Sequence, residues 1–191
     1  MARNDSTINH MLKLLTEDYT YVKNALLWLE SYTGKKSNRS IHELRNALDH
    51  MAIAVQNETS EEDAIKGLNA VEEHFRRAAI EPIEWIALEE LQRLLKIKEK
   101  GFWWWRFLFL KAPNTIEFNN KIHEGLTYIE KGRHSKAISI KESYENFEKS
   151  YNIFHQLLNE VEPAELHSRL FSIYLSLIML FLGGLITFLI Q

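Results

Sequence analysis

The chain has 191 residues, with 23 basic and 26 acidic side chains, 8 histidines and no cysteine. That length suits one domain with its own core, and the missing thiols exclude disulfide frameworks, thiolate zinc sites, iron–sulfur ligation and cysteine nucleophiles. A formal net charge of −3 argues against holding nucleic acid by bulk electrostatics.

In chain order, Ile8, Met11, Leu12, Leu15, Tyr19, Val22, Leu26 and Leu29 recur at helical spacing, and Gly34 follows as a stop signal. A second helix is predicted to open at Ser40, with Glu43 completing a capping box. Its apolar side is Ile41, Leu44, Leu48, Met51 and Val55. A third begins near Ser60 and carries Ala64, Leu68, Val71 and Phe75; Pro82 should kink or restart it. The pattern resumes through Ile83, Ile86, Leu91, Leu94 and Leu95. After Pro113 a cap at Thr115 opens a short helix that runs to about Gly132. Ile140, Tyr144, Phe147, Tyr151, Phe154, Leu158 and Val161 then form a coiled-coil-like stripe. No segment alternates as a strand would.

A mean hydropathy of −0.27 conceals one segment. Leu170 to Ile190 is 21 residues without a charge, and a helix of that length covers the ~30 Å core of a bilayer. The competing reading is a fully buried helix. The N-terminus lacks the apolar run of a signal peptide. The expected architecture is therefore all-α: a cytosolic helical bundle over 1–162 and a single C-terminal transmembrane helix over 163–191. Pro163 suits the first turn of that anchor. The expected location is a bacterial inner membrane, crossed once, with the N-terminal domain in the cytoplasm.

The sharpest motif is Arg45-Asn46-Ala47-Leu48-Asp49-His50. On an ideal helix His42, Arg45, Asn46, Asp49 and His50 fall within about 140°, opposite the apolar side. An Arg can stabilise charge on a phosphorane and a His can move protons at neutral pH. The plainer reading is a solvated i,i+4 pair between Arg45 and Asp49 with a surface histidine. His42, Asp49 and His50 are a poor metal set, and no metal or cofactor is expected. P-loop, dinucleotide, nucleophile-elbow and HExxH motifs are all missing from the sequence.

This stretch resembles the HEPN superfamily, all-helical domains with an Arg, a polar residue, three more positions and a His. In active members the motif pairs across a dimer and cuts RNA without metal. The resemblance implies that Arg45 meets the scissile phosphate, Asn46 takes the polar slot and His50 acts as acid or base. The combination with a membrane span is similar to the small membrane accessory proteins of type VI-B CRISPR systems. It implies an anti-phage effector that homo-oligomerises, pore-like in form, and depolarises the inner membrane. The expected partners are the lipid bilayer, further copies of the chain, and RNA or a CRISPR effector nuclease. The alternative is a membrane-tethered, metal-independent HEPN ribonuclease.

Two further groups bear on these readings. Ser172, Ser176, Gly183 and Thr187 cluster on one side of the expected anchor with Gly184 adjacent. Such a stripe suits helix packing or pore lining. Segment 101–111 carries Trp103, Trp104, Trp105 and Arg106, which suit the lipid headgroup layer. A core or oligomer contact and base stacking are its rival readings.

Overall fold

The computed structural model describes residues 5–56, 60–100, 114–161 and 170–182, and every regular element among them is helical. The chain forms α1 (Asp5–Lys13), a π turn (Leu14–Asp18), α2 (Tyr19–Thr33), α3 (Asn38–Val55), α4 (Glu61–Lys100), α5 (Thr115–Ser135) and α6 (Ile140–Val161). A further helical stretch covers 170–182. The all-α expectation holds over these residues.

Helix α4 is the axis of the body: α2, α3 and α6 all pack on it, and α5 pairs with α6. Its inner side buries Ala64, Leu68, Val71, Phe75, Ile83, Ile86, Leu91 and Leu94, following the predicted periodicity. Pro82 lies inside α4 without ending it. Proline removes one helix hydrogen bond, and packing on both sides of the helix holds the remaining turns in line. All seven residues of the predicted α6 stripe, from Ile140 to Val161, are buried.

Local signals mark most helix ends. Gly34 closes α2 in the left-handed conformation, φ 68°, and its N–H bonds the Glu30 carbonyl. Helix α3 starts earlier than the capping-box reading places it: Ser37 is the N-cap, its Oγ accepting from the Ser40 N–H at 3.1 Å. Ser40 is already one turn inside and buried. Asn114, rather than Thr115, caps α5 through the Ile116 and Glu117 N–H groups.

Two amphipathic faces differ from expectation. On the N-terminal helix Thr7, Leu14, Asp18, Val22 and Ala25 are buried, while Ile8, Leu12, Leu15 and Tyr19 stand open. On α3 the buried residues are Ser40, Ala47 and Ala54, with Ile41, Leu48 and Val55 exposed. Small residues let α3 lie close on α4: a Cβ on Gly67 would be 3.1 Å from Ala54 Cβ. The wider apolar side chains are left on the neighbouring face.

The expected single C-terminal transmembrane helix, and with it the tail-anchored architecture, is not upheld. The helix over 170–182 has 13 described residues, about 20 Å of length, against ~30 Å of hydrocarbon. Among the described residues no helix is long and apolar enough to cross a membrane. The boundary at 162/163, Pro163 and positions 183–191 lie outside the described residues.

Candidate functional site

The Arg45–His50 motif lies in the middle of α3, and the packing of α3 on α4 divides it. Arg45, Asp49 and His42 are exposed, Asn46 is half-buried, and His50 turns toward α4. Five residues along one helix leave Arg45 and His50 about 140° apart, so the fold does not bring them together within the chain. Instead the His50 ring stacks on His74 of α4, with centroids 5.2 Å apart and planes 21° apart.

His74 belongs to a tight polar group. Its Nδ1 is 2.7 Å from Glu43 Oε2 on α3. Arg77, one turn along α4, is ion-paired with the same oxygen, Nε to Oε2 at 3.1 Å. Its Nη2 lies 3.0 Å from His74 Nδ1. A proton on Nδ1 serves the carboxylate, and Arg77, a donor only, then bonds the carboxylate rather than the imidazole. Nε2 is then the basic nitrogen, held in orientation by Glu43 in the manner of base-and-orienter pairs. Glu43 and His74 are half-buried, with side chains 17% and 13% exposed, which limits their rotation.

Beside this group a cavity of about 530 Å³ opens between the end of α3 and the start of α4. His50, Ser60, Asp63 and Lys66 are among its lining residues. Ser60 Oγ accepts from the Asp63 N–H at 3.1 Å and so caps α4, which fixes that wall. His50 thus borders both the cavity and the His74 ring. The chemistry on offer is proton transfer by a stacked imidazole pair beside an ammonium, with no set of three His, Asp or Glu placed for a metal among the described residues.

Glu43, His74 and Arg77 were not legible as site residues. Read along the chain, His74-Phe75-Arg76-Arg77 is a solvated helix with Phe75 on its core side. Only the pairing with a helix 31 residues away gives His74 its partner. The other expected groups fare differently. Ser172 and Ser176 fall on the exposed helix over 170–182, and Ser176 Oγ donates to the Ser172 carbonyl at 2.8 Å. Gly183, Gly184, Thr187, Trp103, Trp104, Trp105 and Arg106 lie outside the described residues. No protein-family model, curated protein or solved structure matches the chain.

Proposed function

We propose that the chain is a membrane-acting helical effector that self-associates and gathers its apolar 170–182 segments at a lipid surface, which they permeabilise. The observation that carries this reading is the exposure of that segment. Ten large apolar side chains between Leu170 and Leu182 stand open, Phe171, Leu180 and Phe181 the most. Each is worth about 1.5–3 kcal/mol when removed from water, and a patch of this extent marks a contact surface. A partner groove would cover one stripe of a helix, whereas a helix apolar around most of its circumference, with only Ser172 and Ser176 interrupting it, suits lipid or a bundle of copies. The body adds a second surface for self-association: Ile8 and Leu12 of α1 and Leu15 of the π turn, with Leu48 and Val55 of α3, are exposed. Ile8 and Val55 border one small cavity, so the two helices are neighbours there. A role in anti-phage defence beside an RNA-guided nuclease is what the HEPN-like motif adds.

The test uses the full chain and vesicles of phosphatidylethanolamine and phosphatidylglycerol loaded with dye. The wild type floats with the vesicles and releases dye, and a Leu177→Glu, Phe181→Glu double variant does neither while keeping its helical content. Equal release by the double variant, or a wild type that stays monomeric and off the vesicles, overturns the reading.

The stacking of His50 on His74 favours a second reading, a metal-independent ribonuclease of HEPN type. One imidazole would take the proton of the ribose 2′-hydroxyl as it attacks phosphorus, and the other would protonate the departing 5′-oxygen. Lys66 on the cavity wall would meet the phosphate, and Arg45 would enter from a second copy. His50→Ala and His74→Ala should each lower RNA cleavage measured in chelator about 100-fold or more. A wild type that leaves RNA intact removes this reading and spares the first.

A further inference from the structure

The N-terminal helix changes its winding over Leu14–Asp18, where a π turn replaces α-helix. Such turns are rare, sit inside α-helices and are frequent at functional sites. This one carries an aspartate on the core-facing stripe between Leu14 and Val22. Asp18 is only 7% exposed, and its Oδ2 has no hydrogen-bond partner. An unsatisfied buried acceptor costs about 1–3 kcal/mol, more when charged, and asks for a group that completes it.

Asp18 borders a cavity of about 640 Å³ between the N-terminal helix and the α5–α6 turn, within the ~300–1,000 Å³ of small-ligand sites. Lys13 and Lys141 stand on its walls, with Tyr21, Asn24 and Ser139 between them. Both lysines are exposed, and neither forms an ion pair with a described residue. Glu72, also at the cavity, is already held by His10 and Arg76. The charges left for a ligand are the Asp18 carboxyl at the inner wall, the exposed Glu17 carboxylate at the rim and two ammonium groups.

Burial raises the Asp18 carboxyl above its ordinary range. Lys13 opposes that shift, Glu72 and Glu17 add to it, and His10 opposes it. An arriving ammonium would reverse the burial effect by pairing with the ionised form.

We propose that this cavity binds a small zwitterion of the α-amino-acid class, its ammonium on Asp18 and its carboxylate between Lys13 and Lys141. The remaining volume, along Tyr21 and Asn24, takes the side chain. Neither the lipid reading nor the ribonuclease reading uses these residues, so this proposal stands or falls apart from them.

The full chain is titrated with each of the twenty L-amino acids by calorimetry and thermal melting, with propionate and propylamine as half-ligands. At least one amino acid binds saturably, and both half-ligands bind at least tenfold more weakly. Asp18→Asn and Lys141→Ala each weaken that amino acid about tenfold or more, the cost of one charge-assisted hydrogen bond. Asp18→Asn melts no lower than wild type without ligand, because the neutral amide is cheaper to bury than a poorly partnered carboxylate. Should that variant fail to fold, a Lys13→Ala, Lys141→Ala pair at the exposed rim carries the same test. Binding of no amino acid, a half-ligand as tight as the amino acid, or unchanged affinity in the variants overturns the proposal. Binding of O-phosphoethanolamine alone overturns it in favour of a lipid headgroup.

Discussion

Gly125 and Gly132 set how closely α5 approaches α6. A Cβ on Gly125 would fall 2.2 Å from the Phe154 ring, and one on Gly132 would fall 3.0 Å from the Phe147 ring. Both rings are fully buried and have no room to move aside. Gly125→Ala gains up to ~1 kcal/mol of helix propensity and meets an overpacking cost of ~1–3 kcal/mol. We expect a net loss of about 1–2 kcal/mol in urea unfolding, larger than that of Gly132→Ala, whose contacts are looser. The same glycines show what one residue type hides in a sequence. Gly132 reads as a helix stop, yet α5 continues to Ser135, because the missing side chain serves an aromatic ring across the interface. Its carbonyl accepts from Ser143 Oγ at 2.7 Å, a bond between helices that no local signal announces.

At the scale of elements, Glu84 joins α4 to the end of α5. Arg133 Nε donates to its Oε1 at 2.8 Å, and Lys136 Nζ donates to Oε2. Burial pushes this carboxyl upward, but the hydrogen bonds and charges of Lys136 and Arg133 outweigh it and leave it below its ordinary value. A depressed carboxyl stabilises the fold above its unfolded pKa and loses that contribution as pH falls through the folded one. Glu84→Gln should therefore destabilise by about 1 kcal/mol at neutral pH, since its partners are well exposed to solvent. The gap between variant and wild type should close in melts taken toward acid. Helix identities were well marked in the sequence, because periodicity and caps are local; helix rotation was not. The stripe Ile8–Leu12–Leu15–Tyr19 and the residues Ile41, Leu48 and Val55 are as apolar as any buried set, yet they face outward. Which side a helix buries depends on how closely its neighbour comes, and Ala47, Ala54 and Gly67 win the contact by being small.

For the whole molecule, the consequence of that rotation is a body with apolar residues open on its N-terminal helix and α3, carrying an uncharged, largely apolar helix over 170–182. The vesicle experiment reads both features, self-association through the body and lipid contact through the 170–182 helix. Composition and spacing alone determined that the described residues are helical, that Gly34 stops α2 and α4 opens near Ser60, that α6 buries its full stripe, and that thiol chemistry is excluded. These properties follow from near-neighbour hydrogen bonding and from the 3.6-residue period, which act within a few turns. The tertiary structure decided the rest. It stacked His50 on His74, which Glu43 and Arg77 hold from beside it. It also turned Asp18 inward at a π turn beside two lysines. Each of these depends on contacts between segments tens of residues apart, and such contacts leave no period in the sequence.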